Sequence, residues 1–161
     1  MSNSKNSESV FYEDLVPGEK VRIGPYRVDK NDVIEFARKW NPLPFHIDEE
    51  AAKRSIYGGI TAPSAYILAV RTMLLDQLNM LDAMLGTMGW DEVRFQKPAR
   101  PGDDLRVEVE WIEKRLSKSK PDRGVVKMRV TMLNQKDEAV LSHFDTIMLR
   151  LRSPGSPAPS A

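Results

Sequence analysis

Residues 40–52 read WNPLPFHIDEEAA and carry one of the chain's two histidines, His46. Two prolines and an aromatic ring restrict the backbone just ahead of it, so the stretch reads as a loop that holds an imidazole in place. An imidazole near neutrality can take a proton from water and give one back to carbon. The plainer alternative is a satisfied histidine that anchors its own loop. A base of this kind commonly works with a carboxylate, and where one would stand a few residues upstream the chain has Asn41. An amide accepts no proton at neutral pH, but it can orient a water or donate to an oxyanion. An Asn before Pro also commonly ends a helix and bonds nearby backbone.

A second group of polar residues follows. Ser64 comes directly after Pro63 at the head of an apolar helical run. Its backbone N–H would lie at the positive end of the helix dipole, where a developing anionic oxygen can rest, and its hydroxyl adds a second donor. Equally, it is a Ser tolerated in a first turn. Gly58 and Gly59 either let backbone approach a ligand closely or form an ordinary tight turn. Asp48 is better placed to cap the run EEAAKRS (49–55) than to replace the missing carboxylate. His143 lies in a strand-like run and reads as a strand residue with a local partner. With no cysteine and only two histidines, no metal site is expected, and thiolate nucleophiles and disulfides are excluded. Two basic clusters, Lys118, Lys120 and Arg123 and then Arg94, Lys97 and Arg100, suit either phosphates or solvent.

These side chains need elements to position them. KVRIGPYRV (20–28) has strand residues broken by Gly24-Pro25, which implies a bent or edge strand. DKNDVIEFARKW (29–40) is a helix capped by Asp29, with Val33, Ala37 and Trp40 on one face, Phe36 beside it, and a stop imposed by Pro42. TAPSAYILAVRTMLLDQLNML (61–81) is a longer helix whose early turns, 64–70, carry no charge on any side, so it is expected to be buried all round. LDQLNMLDAML (75–85) offers several Leu and Met residues to a core, a partner surface or an acyl chain. Then the period changes. Residues 91–98, 104–116, 124–133 and 139–152 alternate apolar with polar and are separated by turns. Alternation means antiparallel strands with one dry face. The expected class is α+β, with a curved antiparallel sheet wrapped around a long central helix.

The chain as a whole limits the functional classes. Its 161 residues suit one domain, and 41% hydrophobic with 29% charged residues is a globular balance. A net charge of +1 gives no reason to expect nucleic acid or a membrane surface as partner. The longest apolar stretch is too short to span a bilayer, the first residues lack a signal-peptide core, and a cytoplasmic location is expected. Disordered tails are expected at 1–10 and 153–161, around a single domain at 11–152.

NPLPFHIDEEAAKRSIYGGI (41–60) and EKRLSKSKPDRG (113–124), supported by VRFQKPARPGDDL and FYEDLVPGEK, resemble the MaoC-like hot-dog family of (R)-specific enoyl-CoA hydratases and acyl dehydratases. The resemblance covers roughly residues 11–152. It implies a hot-dog fold acting in fatty acid metabolism, with acyl-CoA bound as substrate at a subunit interface and no separate cofactor. It also implies a homodimer, a higher hot-dog oligomer or a heteromer. The family's Asp and, five residues on, its His activate water for addition to a trans-2-enoyl thioester. They fall here on Asn41 and His46, and the small segment ahead of the central helix falls on Pro63-Ser64, with Ser64 and Gly59 expected beside the substrate. The loss of Asp implies weak hydration. A non-catalytic acyl-CoA-binding protein or partner subunit of a catalytic homologue is the alternative, and a hot-dog thioesterase the third.

Overall fold

The computed structural model describes residues 8–153. The first strand, β1 (Lys20–Arg27), is followed by helix α1 (Lys30–Trp40), whose first turn Asp29 caps by accepting from the backbone N–H groups of Asn31 and Asp32. Val33 and Ala37 are fully buried as the spacing required, but Trp40 projects outward and is 64% exposed. It is the last helical residue, where the chain is already leaving the core. Two short helices come next, α2 (Pro44–Ile47) and α3 (Glu49–Arg54), and then the central helix α4 (Ser64–Leu75). α4 stops at Leu75, six residues short of the expected 81, and a 3-10 turn (Asp76–Leu78) and left-handed Asn79 close the helical region.

Four long strands complete the chain: β2 (Met84–Phe95), β3 (Asp104–Leu116), β4 (Arg123–Leu133) and β5 (Ala139–Arg150). They form one antiparallel sheet in the order β1-β3-β4-β5-β2. In β3, β4 and β5 the inward residues alternate with half-buried ones, and Leu105, Val107, Val109, Met128, Val130, Met132, Leu141 and Leu149 share one core with Ile67, Val70 and Leu74 of α4. This is the α+β hot-dog arrangement. The bend in β1 is a register shift between Ile23 and Tyr26, and β1 is an edge strand, as its Gly-Pro pair implied.

The structure departs from the expected elements in three further places. β2 starts at Met84 instead of residue 91, because residues 84–90 include two glycines and sit on the sheet edge, where no dry face enforces alternation. Its pairing with β5 is interrupted by three register shifts. The central helix is not buried all round: Ser64, Ala65, Ala69, Thr72 and Met73 are exposed, so apolar composition there marks a face that the described residues leave uncovered. The expected tails lie mostly outside the described residues, but residues 8–10 are tied down. The Val10 N–H donates to the Asn79 carbonyl at 2.9 Å, the Asn79 amide donates to the Glu8 carbonyl, the Ser9 hydroxyl donates to Asp82, and Val10 packs on the core.

Candidate active site

His46 lies on the one-turn helix α2, not on an open loop. Pro44 opens that turn at the position where its missing N–H costs nothing. The ring is 6% exposed and rests edge-on against Phe45 at 4.4 Å, and Phe45 in turn meets Tyr57 at 5.2 Å. His46 Nδ1 is 2.6 Å from the Thr61 carbonyl. A carbonyl only accepts, so Nδ1 carries the hydrogen and a neutral ring keeps its lone pair on Nε2. That is the tautomer a general base needs, and the segment leading into α4 fixes it.

Asn41 caps the C-terminus of α1: its backbone N–H donates to the Ala37 carbonyl at 2.8 Å. Its carboxamide has no hydrogen-bond partner among the described residues, so the helix-ending duty falls on its backbone alone. Ser64 is the first residue of α4, where backbone N–H groups have no intrahelical acceptor. Asn41, His46 and Ser64 line one cavity of about 400 Å³, shared with Tyr57, Ile67, Phe95, Lys97 and Val140, among others. The cavity therefore combines an imidazole lone pair, an unengaged amide and first-turn N–H donors with the apolar side chains of Ile67, Phe95 and Val140.

Gly59 is not brought to this cavity. It lines a separate depression with Gly58, Ile60 and Arg100, and a methyl group in its place would meet Arg100 only at ordinary contact distance. The turn reading of Gly58-Gly59 accounts for it, with Gly58 in the left-handed region at φ +64°. Asp48 caps α3, accepting from the Ala51 N–H at 2.6 Å. Of the basic residues, Lys97 reaches the cavity but is paired with Glu138 at 2.5 Å, and Arg100 donates to the Tyr57 carbonyl. Lys118 and Lys120 are exposed, and Arg123 pairs with its neighbour Asp122.

A second polar group surrounds His143, whose partner is not local to its strand but comes from α4. Arg71 of α4 is 3% exposed and pairs with Asp145 of β5, which is 1% exposed. Arg71 Nε also donates to His143 Nε2 at 3.0 Å, and its guanidinium lies 4.9 Å over the Trp90 ring of β2. His143 must be neutral to accept this bond. Burial, and next the Arg71 cation, hold its pKa below the ordinary histidine value. Burial also lowers the Arg71 pKa, against the opposing pull of Asp145. The sequence did hold a signal. His143 and Asp145 share the inward parity of Leu141, Ile147 and Leu149 on an alternating strand. Two inward polar residues on one strand require a partner from the facing element.

No cluster of three or more potential metal ligands occurs among the described residues, and no described helix is long and apolar enough to cross a membrane.

The family pattern of the MaoC like domain matches residues 14–133. Mesaconyl-CoA hydratase of Cereibacter sphaeroides is 34% identical over 126 residues, which is 78% of this chain but only 32% of that protein, so the chain spans about a third of that relative. The crystal structure of a MaoC-like dehydratase from Rhodospirillum rubrum superposes with a TM-score of 0.83 at 33% identity, covering 90% of this chain and 99% of that one. A Mycobacterium tuberculosis protein with a double hot-dog fold gives a TM-score of 0.77 at 18% identity over 92% of this chain and 46% of its own length, a likeness of fold alone.

Proposed function

The chain belongs to the MaoC-like domain family, and from that premise we propose that it adds water to a trans-2-enoyl-CoA thioester, with His46 as general base and acid. The observation that carries this reading is the shared cavity in which His46, its Nδ1 hydrogen committed to the Thr61 carbonyl, meets Asn41 and Ser64. In this mechanism Nε2 takes a proton from water as the water oxygen bonds to the β-carbon. The electron pair of the alkene moves to the thioester, giving an enolate. The Ser64 N–H donates to the enolate oxygen, where preorganised donors are most effective. The imidazolium then returns its proton to the α-carbon and restores the thioester carbonyl. The Thr61 carbonyl steadies the imidazolium through Nδ1–H, in part replacing a carboxylate. Asn41 Oδ1 accepts the second hydrogen of the water and aims its lone pair.

The test is loss of enone absorbance from enoyl-CoA esters with the purified protein. Wild type should turn over slowly, and His46→Ala should lose activity by roughly 10²–10⁴-fold. Equal rates in the two proteins would remove His46 from the reaction.

Asn41 supports a second reading. A site with no carboxylate among Asn41, His46 and Ser64 also suits a subunit that binds acyl-CoA beside a catalytic homologue. β2 supports association in either case. It ends the sheet and exposes Met84, Met88, Trp90 and Phe95, an edge that a second hot-dog chain would cover.

A further inference from the structure

Resting on this acyl-CoA reading, we infer that Arg71, His143, Asp145 and Trp90 form a polar stop at the end of the acyl site and restrict this protein to short acyl groups. Three elements carry the wall of the His46 cavity into that cluster. On α4, Ser64 and Ile67 line the cavity, and Arg71 lies one turn beyond Ile67 on the same face. Seven residues of helix set Arg71 about 10 Å from Ser64 along the axis. On β5, Val140 lines the cavity, and His143 and Asp145 are the next polar positions on the inward face. On β2, Phe95 lines the cavity, and five residues back Trp90 lays its ring against Arg71 and, at 5.7 Å, against His143. An acyl chain that starts at Ser64 and follows α4 therefore meets the cluster end-on.

The cluster is a poor surface for hydrocarbon. Arg71, His143 and Asp145 are each at most 3% exposed. His143 Nδ1 and Asp145 Oδ1 are buried with no hydrogen-bond partner among the described residues, so the group is already short of two bonds. A longer chain must either press methylenes against these polar atoms or push Arg71 off Asp145. Separating one member of a buried ion pair is the costly event, because it leaves a charge buried alone. Beyond the cluster lies a second cavity of about 230 Å³, walled by Leu75, Met80, Met84, Met128 and Ile147 and reached by Arg71 and Asp145. Apolar space thus exists further along α4, and the cluster stands in front of it.

The test titrates the full chain with saturated butyryl-, octanoyl- and dodecanoyl-CoA by calorimetry and follows hydration of the matching enoyl esters. Affinity and kcat/KM should fall by roughly tenfold or more from the shortest ester to the longest, the scale on which a hydrocarbon pocket discriminates size. In Arg71→Met/His143→Leu/Asp145→Leu that fall should disappear, as the longer esters enter the second cavity. Apolar replacement of a whole buried ionic group is commonly tolerated in folding. Should the triple variant not fold, Arg71→Met/Asp145→Leu serves in its place, with the same relief expected. Dodecanoyl-CoA bound by wild type as tightly as butyryl-CoA would overturn the inference, as would an undiminished length penalty in a folded variant. Short esters that bind with the expected length preference but are never hydrated would refute the hydratase reading and leave the polar stop standing. If no ester binds, both fall.

Discussion

Position 41 is where one atom decides how the site works. Asn41 and Asp have the same shape, and the carboxamide has no other duty among the described residues, so Asn41→Asp is a nearly isosteric change in a cavity already built around His46. A carboxylate there would take the water's second hydrogen more strongly and stabilise the imidazolium. We expect hydration to rise by about tenfold or more, within the range of positioned acid–base catalysis. No gain, with acyl-CoA binding intact, would favour the non-catalytic subunit. In the proposed mechanism Asn41→Ala removes the water's acceptor, and it should lower kcat with little change in KM, since the partner of Asn41 there is the water and not the acyl or CoA group. His46 and Asn41 were legible from sequence because their geometry is local: a proline-opened turn and a helix end lie within six residues of each other. Arg71 and Asp145 were not, because they are 74 residues apart and nothing in either neighbourhood names the other.

Among the elements, strand β4 shows how closely the sheet is fitted to the N-terminal segment. An added methyl at Gly124 would come within 2.2–2.8 Å of three atoms of the Tyr12 ring. Tyr12 cannot move aside cheaply: it is 5% exposed, and Lys114 lies over its ring while donating to its carbonyl at 3.1 Å. Gly124→Ala should therefore cost about 1–3 kcal/mol by overpacking. The expected result is a lower midpoint in thermal or urea unfolding, with kcat and KM of the folded fraction unchanged, because Gly124 lines no part of the His46 cavity. A loss of stability below the measurement error would mean that Tyr12 is free to swing away. The same element scale shows what alternation can reveal. β3, β4 and β5 were legible residue by residue because each has one dry face. The first half of β2 was not, since both of its faces are largely exposed in this chain and its glycines offer no side chain to pattern. The exposed side of α4 differs from expectation for a related reason: Ala65 and Ala69 look like core in sequence, yet none of the described residues covers them.

Across the whole molecule, the buried cluster ties stability to pH. His143 accepts from Arg71 Nε, so a proton on His143 Nε2 would set two donors against each other inside the core. The titratable groups facing it are Arg71 from α4 and Asp145 from its own strand, and its pKa is depressed by burial first and the Arg71 cation second. The unfolded chain binds the proton at the ordinary value of 6.5, while the folded chain refuses it until lower pH. Below that value the unfolded state therefore holds more protons, and stability falls as pH falls. The stability is fully present above the unfolded pKa and is lost as pH drops through the folded one. Glu108 also has a depressed pKa, held down by hydrogen bonds from Lys20 and Arg22, but its contribution is lost only around and below the ordinary carboxylate value of 4.5, so the two windows separate. Unfolding midpoints compared at about pH 7.5 and about pH 5.5 separate the histidine contribution from that of the carboxylates, and His143→Gln assigns it between His143 and His46. Wild type should be clearly less stable at the lower value. His143→Gln, which keeps an acceptor for Arg71 but cannot titrate, should show a much smaller difference over the same interval. Parallel slopes in the two proteins would place the acid sensitivity elsewhere and leave His143 an ordinary neutral core residue.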